Sequence, residues 1–125
     1  MDHSPGFLAL VTEAKKDINE CSVQEAWRKA QDEALGTKIF LIDVREESEF
    51  AAGHAKHATH LGRGILERDI EAKVPDKEAE ILLYCGGGYR SALSARNLIL
   101  MGYKRVWSVA GGFRAWQDQE LPIDK

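Results

Sequence analysis

The sequence lacks the features that mark membrane, secreted and nucleic-acid-binding proteins. Its 125 residues contain no apolar run approaching the ~18 residues that a transmembrane helix requires. They contain no run of five or more basic residues, and the formal net charge of −3 also argues against a nucleic-acid surface. The opening Met-Asp-His-Ser-Pro-Gly shows neither the basic start nor the apolar block of a secretion signal. We therefore expect neither a membrane nor a nucleic acid among the partners.

Cysteine is scarce as well, since Cys21 and Cys85 are the only two. They lie in different contexts, and a disulfide framework needs more of them. Together with the missing secretion signal, this predicts a cytoplasmic protein whose thiols stay reduced. The length suits one compact domain, and the chain has no internal repeat, low-complexity tract or Pro/Gly/Ser-rich linker.

Helical and strand-like patterns alternate along the chain. Apolar residues at helical spacing predict helices over residues 6–19, 22–36, 46–52, 65–74, 91–101 and 111–116. The second helix is expected to begin with a capping box of Ser22 and Glu25 and to end at Gly36. Short apolar runs predict strands over residues 39–42, 59–61, 81–84 and 105–109. The alternation predicts an α/β fold with a mainly parallel sheet and helices packed against it.

The segment after the strand at residues 81–84 carries the clearest chemical signal. Cys85 is followed by Gly86, Gly87 and Gly88, then by Tyr89, Arg90 and Ser91 at the start of a helix. Three consecutive glycines cost backbone entropy, which is best explained where a ligand approaches the main chain. Backbone N–H groups and a helix N-terminus carry positive partial charge, so a thiol held there ionises near neutral pH. We predict that Cys85 is a nucleophile beside an anion-binding loop.

Arg90 and Ser91 are candidates to assist Cys85. The planar guanidinium of Arg90 is suited to binding an oxyanion or stabilising the thiolate. A merely solvated arginine is the less favoured alternative, because a cation in the first turn of a helix opposes the helix dipole. Ser91 is a candidate N-cap whose hydroxyl also reaches the sulfur. Asp43 ends another buried strand, and carboxyl ends of parallel strands meet at one edge of a sheet. We expect Asp43 to be hydrogen-bonded or paired there and to support the loop structurally.

Other polar residues give weaker signals. His54, His57 and His60 are three residues apart, but Gly53 and Thr59 interrupt a single helix, so a metal site is not favoured. Arg63, between two glycines, is suited to a substrate anion or to capping and ion pairing within the next helix. Cys21 is interpreted as a structural thiol.

Three motifs together resemble a known family. They are D-V-R-E-E-S-E-F-x-x-G-H from Asp43 to His54, C-G-G-G-Y-R-S from Cys85 to Ser91, and V-x-G-G-F-x-x-W from Val109 to Trp116. In this order and spacing they resemble a single-domain rhodanese, a sulfurtransferase. The resemblance covers about residues 22–122, so we expect a rhodanese-like domain over 22–125 and a helical extension over 1–21. It implies a three-layer fold with about five mainly parallel strands and helices on both faces.

The resemblance also implies the chemistry. Cys85 becomes a persulfide, taking sulfur from a small anionic donor or a persulfide and passing it to cyanide, a thiol or a protein thiol. The main chain from Gly86 to Arg90 would form the anion cradle, and Asp43 and His54 match supporting residues of the family. Beside the resemblance, we expect Arg63 and Ser91 to contact substrate as well and Arg45 to have a supporting role. No metal or organic cofactor is implied, and the protein is expected to be a monomer or a homodimer. Because Gly86 and Gly87 carry no cation, thiosulfate is expected to be a poor or surrogate donor.

Two other functions remain open from the sequence. A phosphatase or arsenate reductase uses the same thiolate and arginine, but related phosphatases place five residues between them. Here there are four, Gly86 to Tyr89, and the shorter loop favours a single sulfur over a phosphate. The other alternative is a sulfur carrier or regulatory module that acts with a dedicated protein partner.

Overall fold

The structure, a computed structural model, describes residues 3–31 and 39–125. Within these ranges the helices are α1 (Pro5–Lys15), α2 (Val23–Gln31), α3 (Glu47–Ala52), α4 (Arg63–Lys73), α5 (Tyr89–Leu100) and α6 (Gly112–Asp118). The strands are β1 (Asn19–Cys21), β2 (Ile39–Asp43), β3 (His54–Ala55), β4 (Thr59–His60), β5 (Glu80–Tyr84), β6 (Arg105–Val109) and β7 (Ile123–Asp124). None of the helices in these ranges is long and apolar enough to cross a membrane.

Five strands of the described ranges form one parallel sheet in the order β1-β6-β5-β2-β4. This confirms the predicted α/β fold with a mainly parallel sheet. The short strands β3 and β7 pair with each other in antiparallel fashion. In the sheet, β2 and β5 are in register from Ile39 opposite Glu80 to Asp43 opposite Tyr84. Their carboxyl ends therefore coincide, and Asp43 and Cys85 lie at the same edge of the sheet, as predicted.

Helices cover both faces of the sheet because side chains along a strand alternate between the faces. Ile81 and Leu83 of β5 pack into one buried cluster with side chains from α4 and α5. Leu82 and Tyr84 pack into another with side chains from α2 and α6. The strand is buried along its whole length, which explains its continuous apolar sequence. The result is the expected three-layer arrangement.

Several predicted details are confirmed. The four predicted strands correspond to β2, β4, β5 and β6. Ser22 N–H donates to Glu25 Oε1 at 3.2 Å, and Glu25 N–H donates to Ser22 Oγ at 3.1 Å, which completes the capping box. Gly36, the predicted end of the second helix, lies outside the described residues.

Two predictions were wrong. The first helix ends at Lys15 instead of residue 19, because Asn19–Cys21 pair with β6 as the edge strand β1. This strand has three residues, too few to show a period in the sequence. The helix after the glycines begins at Tyr89, with Gly88 as its N-cap at φ +96°, so Ser91 is not the N-cap. A left-handed N-cap favours glycine, and Ser91 lies within the first turn.

Candidate active site

The loop between β5 and α5 surrounds the Cys85 sulfur with hydrogen-bond donors. Gly88 N–H donates to Cys85 Sγ at 3.1 Å, and Ser91 N–H donates to it at 3.4 Å. Ser91 Oγ lies 3.6 Å from the same sulfur. The predicted arrangement is therefore present: amides of a glycine loop and of a helix N-terminus converge on a thiol at the end of a central strand.

The N-terminus of α6 holds the loop in this shape. Phe113 N–H donates to the carbonyl of Cys85 at 2.8 Å, and Arg114 N–H donates to the carbonyl of Gly86 at 3.0 Å. These bonds give the carbonyls of Cys85 and Gly86 hydrogen-bond partners on α6. The contact requires glycine at position 112, where φ is +53° and a Cβ would overlap the carbonyl oxygen of Cys85. The G-G-F segment is thus part of the site through its backbone.

The loop lowers the pKa of Cys85. Burial by itself raises the pKa of a thiol, and the Cys85 residue is only 1% exposed. Hydrogen bonds from the Ser91 hydroxyl and from the N–H groups of Ser91, Gly87 and Gly88 outweigh burial and lower the pKa overall. The site therefore favours the thiolate, which is the reactive form of cysteine.

Ser108, which the sequence analysis missed, extends this network. It belongs to β6, is fully buried, and its Oγ lies 2.8 Å from Ser91 Oγ. When Cys85 is a thiolate, Ser91 donates to the sulfur and Ser108 donates to Ser91, so both hydroxyls are satisfied. A serine within the apolar strand V-W-S-V was the available signal, because a buried hydroxyl needs a partner.

Arg90 is paired rather than free. Its Nη1 donates to Glu49 Oε1 at 3.3 Å and its Nη2 donates to Glu49 Oε2 at 3.5 Å. Glu49 Oε1 also accepts Glu46 N–H at 3.0 Å, which completes a capping box at the start of α3. Although burial by itself raises the pKa of Glu49, these bonds and the Arg90 charge lower it overall. Glu49 is therefore an anion beside the cation nearest the loop.

Asp43 and Arg45 form a buried ion pair beneath the site. Arg45 Nη2 donates to Asp43 Oδ2 at 2.8 Å, and the Arg45 N–H donates to Asp43 Oδ1 at 2.9 Å. The same guanidinium donates to the carbonyl of Gly53 at 2.7 Å and lies 4.3 Å from the ring centroid of Phe113. Asp43 is fully buried and paired, as expected. Through Phe113, the pair contacts α6, the helix that holds the loop around the Cys85 sulfur.

The three histidines of the central segment make ring or backbone contacts, and two of them, His54 and His60, pack on Phe50. His54 stacks on Phe50 with 3.8 Å between ring centroids, His57 stacks on Trp27 at 5.8 Å, and His60 Nε2 lies 2.8 Å from the carbonyl oxygen of Arg45. Among the residues that the structure describes, no group of three or more His, Cys, Asp or Glu side chains is placed to bind a metal.

A cleft of about 720 Å³ opens above Cys85. Its lining includes the predicted site residues Arg63, Cys85, Gly86, Gly87, Tyr89 and Arg90. It also includes residues that were not singled out in the sequence, namely His3, Phe7, Glu49, Phe113, Arg114 and Gln117. The predicted residues Asp43, Arg45, His54, Gly88 and Ser91 are not part of the lining. Gly88 and Ser91 contact the sulfur from the protein side, and Asp43 and Arg45 lie below it.

Comparison with known proteins identifies rhodanese-like relatives in both sequence and structure. A family model for the rhodanese-like domain matches residues 22–119. Thiosulfate sulfurtransferase GlpE from Haemophilus influenzae is 36% identical over 108 residues, which cover 86% of this chain and 95% of that protein. The polysulfide-sulfur transferase homodimer of Wolinella succinogenes has a TM-score of 0.80 at 30% identity, over 95% of this chain and 87% of that chain.

A third relative carries a different description. A protein of unknown function from Rhodopseudomonas palustris, described as a possible tyrosine phosphatase, has a TM-score of 0.81 at 29% identity. The similarity covers 99% of this chain and 98% of that one. The matched region includes every element that holds the Cys85 sulfur, from β2 to α6. The chain therefore belongs to the rhodanese-like domain family and is a sulfurtransferase of the rhodanese type.

Proposed function

We propose that Cys85 carries a sulfane sulfur as a persulfide between a donor and a thiophilic acceptor. The donor is thiosulfate or a persulfide, and the acceptor is cyanide or a thiol. The observation that carries this proposal is the pair of backbone N–H groups, from Gly88 and Ser91, directed at the Cys85 sulfur. Their dipoles stabilise negative charge on sulfur before, during and after transfer.

In the first half-reaction the Cys85 thiolate attacks the outer sulfur of the donor. With thiosulfate, a new S–S bond forms to Cys85 and the old S–S bond breaks, with its electron pair leaving on sulfite. Two charges on thiosulfate and one on the thiolate become two on sulfite and one on the persulfide. In the second half-reaction the acceptor attacks the terminal sulfur and regenerates the thiolate. Ping-pong kinetics follow from this order.

Gly86 and Gly87 give the extra sulfur room and donors. Both line the cleft beside Cys85 and present no side chain to it. The first N–H groups of α5 have no partner within the helix, so they are available to an anion. The terminal sulfur of the persulfide occupies this position, between the loop amides and the open cleft.

The charged residues of the site have separate roles in this proposal. Arg90 and Arg63 line the cleft and attract anionic donors. Asp43 and Arg45 keep α6 against the loop through Phe113, and His54 packs on Phe50 of α3, the helix that bears Glu49. Since Glu49 neutralises Arg90, thiosulfate is expected to be a modest donor. A thiol or protein thiol is the expected physiological class of acceptor.

Intact-mass spectrometry after incubation with thiosulfate tests the proposal. We expect a gain of about 32 Da, mapped to Cys85 and removed by cyanide. Cys85→Ser should lose both the gain and thiosulfate:cyanide transfer, whereas Cys21→Ser should keep both. A gain that maps to Cys21, or turnover by Cys85→Ser at the wild-type rate, would refute the assignment.

Phosphate chemistry is the second candidate, because a related structure is described as a possible tyrosine phosphatase. Four residues separate Cys85 from Arg90, one fewer than in the related phosphatases. Arg90 is also paired with Glu49 instead of being directed at a phosphate position. We therefore expect no hydrolysis of an aryl phosphate under conditions in which thiosulfate:cyanide transfer is measured. The reverse result would favour the phosphatase.

A further inference from the structure

Three aromatic rings form one wall of the cleft above Cys85. His3 lies 4.5 Å from Tyr89 and 5.3 Å from Phe7, and Phe7 lies 6.2 Å from Tyr89, all between ring centroids. All three rings line the cleft and are half-buried. We call this group the aromatic wall. Cys85 lines the same cleft, so a donor bound at the thiol shares the cavity with the aromatic wall.

Two members of the aromatic wall come from outside the region that matches the family. His3 and Phe7 precede residue 22, where the match to the rhodanese-like domain begins. The helix that carries Phe7 is nevertheless fixed in place. Val11 and Ala14 of α1 are buried against Ala92 and Leu93 of α5, the helix that begins at Tyr89. Core packing of α1 on α5 therefore places Phe7 beside Tyr89, and His3 adds to the wall by contact with both rings.

The size and charge of the cleft indicate what it binds. About 720 Å³ lies within the range of pockets for organic ligands, and inorganic thiosulfate fills only a small part of it. Three arginines and one glutamate line it, a net charge of plus two with His3 neutral, in a protein of net charge −3. Arg90 is paired with Glu49, whereas Arg63 and Arg114 have no ion pair among the described residues. The cleft therefore combines an excess of cationic side chains with the aromatic wall.

We propose that the aromatic wall selects organic sulfane donors, anions in which the sulfane sulfur is bonded to a second sulfur that carries a flat apolar group. The flat group lies against His3, Phe7 and Tyr89, and the anionic group lies toward Arg63 and Arg114. This inference rests on the proposed sulfur transfer through Cys85 and adds a donor class to it. Apolar contact with rings is nondirectional and tolerates a range of organic groups, so specificity is for a class of donor.

Benzenethiosulfonate and methanethiosulfonate are matched probes for this class. In both, the Cys85 thiolate attacks the outer sulfur and the S–S bond to the sulfonyl group breaks. The electron pair leaves on the sulfinate, and one charge remains on each product. The two donors differ in the organic group, phenyl or methyl. The informative quantity is the ratio of kcat/KM for the phenyl donor to that for the methyl donor, with cyanide as acceptor.

We expect Phe7→Ala and His3→Ala each to lower this ratio roughly three- to tenfold relative to the wild type, the usual worth of one aromatic contact. Leu10→Ala is the control, since Leu10 lies on the same helix and is 56% exposed. It should leave the ratio unchanged. A Phe7→Ala protein that loses α1 altogether also loses the wall, so its ratio must fall too. An unchanged ratio in both aromatic variants, or an equal fall in Leu10→Ala, would overturn the inference.

Arg114→Gln distinguishes the contribution of cleft charge to donor binding from that of the aromatic wall. It should weaken both anionic donors by a similar factor and leave their ratio intact. Arg28→Gln, on an exposed part of α2 away from the cleft, is its control. The mass gain on Cys85 with thiosulfate is measured alongside. If no donor modifies Cys85, the sulfur-transfer proposal fails. If Cys85 is modified but the ratio does not respond to His3 or Phe7, only the donor class fails.

Discussion

The two cysteines occupy similar positions in the fold, yet their pKa values are shifted in opposite directions. Cys21 is the last residue of β1, and α2 begins two residues later. Cys85 directly follows β5, and α5 begins four residues later. Both are buried. Burial, followed by the nearby Glu25 carboxylate, raises the pKa of Cys21 to about 12, whereas the pKa of Cys85 is lowered.

The two pKa values differ because different groups accept hydrogen bonds from the backbone N–H groups between strand and helix. After Cys21, Ser22 N–H and Glu25 N–H are taken up by the side chains of the capping box. After Cys85, three glycines replace such side chains, and the amides of Gly88 and Ser91 are directed at the sulfur. A thiol between a strand and a helix is therefore not activated by its position alone. It is activated where the local amides are left for it.

Among the substitutions considered, Gly112→Ala should have the largest effect on the environment that distinguishes Cys85 from Cys21. The new Cβ would overlap the Cys85 carbonyl and lie 2.9 Å from Gly86 C, so the loop must leave the N-terminus of α6. We expect kcat/KM for thiosulfate:cyanide transfer to fall about a hundredfold or more, the usual cost of losing an anion-stabilising donor. Alkylation of Cys85 by iodoacetamide should also shift to higher pH.

Gly102→Ala is the matched control for Gly112→Ala. Gly102 also has positive φ, +103°, but nothing lies within 4 Å of the position of a Cβ. This variant should lose about 1–2 kcal/mol of stability through backbone strain and keep its activity. If both variants lost activity in proportion to their stability, the α6 contact would have no specific role in holding the loop.

The two cysteines should also make the free energy of unfolding depend on pH with opposite slopes. Since the folded pKa of Cys21 is raised, the folded protein holds its proton longer than the unfolded chain. Stability should therefore fall by about 1.4 kcal/mol per pH unit as pH rises from about 8.5 toward 12. The folded pKa of Cys85 is lowered, so its contribution is present above the unfolded pKa and is lost as pH falls through the folded pKa.

Chemical denaturation at pH values below and above about 8.5 tests the two slopes separately. The wild type minus Cys21→Ala isolates the alkaline slope, because other groups that titrate there are common to both proteins. The wild type minus Cys85→Ala isolates the slope below pH 8.5, which should have the opposite sign. Identical differences for both variants would mean that the two thiols share one environment.

The same contrast shows what sequence can predict of this protein. The buried strands, the capping box and the glycine loop were recognised because each is a local pattern of chain chemistry. The edge strand Asn19–Cys21 was missed because it exists only through its pairing with β6. Glu49, Ser108 and Arg114 were missed for a related reason, since each reaches the site from an element distant in sequence. Pairings of that kind depend on strand order, which the alternation of elements leaves open.

Ser108→Ala should have a smaller effect on the pKa of Cys85. The Ser108 hydroxyl lies 2.8 Å from Ser91 Oγ, which faces the Cys85 sulfur, so removing it weakens one donor to the thiolate. We expect the acid limb of the pH profile of kcat/KM to move up by about one pKa unit or less. Ser94→Ala is the control, because Ser94 is a buried serine of α5 like Ser91, and it should leave the acid limb in place. If the acid limb moved in neither variant, the Ser108–Ser91 hydrogen bond would not contribute to the lowered pKa of Cys85.

Glu49→Gln should have the smallest effect, and in the favourable direction. Carboxylates of Glu25, Glu80 and Glu20 help to keep Cys21 protonated, whereas at Cys85 one carboxylate, Glu49, offsets the Arg90 cation. Removing that charge should raise kcat/KM for dianionic thiosulfate about two- to fivefold at low salt, with the gain declining as salt screens the site. Arg90→Ala should act in the opposite direction, and Glu78→Gln, whose carboxylate pairs with Lys104, should change nothing. If Glu49→Gln slowed thiosulfate as Arg90→Ala does, Glu49 would serve to hold Arg90 in position, and its charge would not limit the anionic donor.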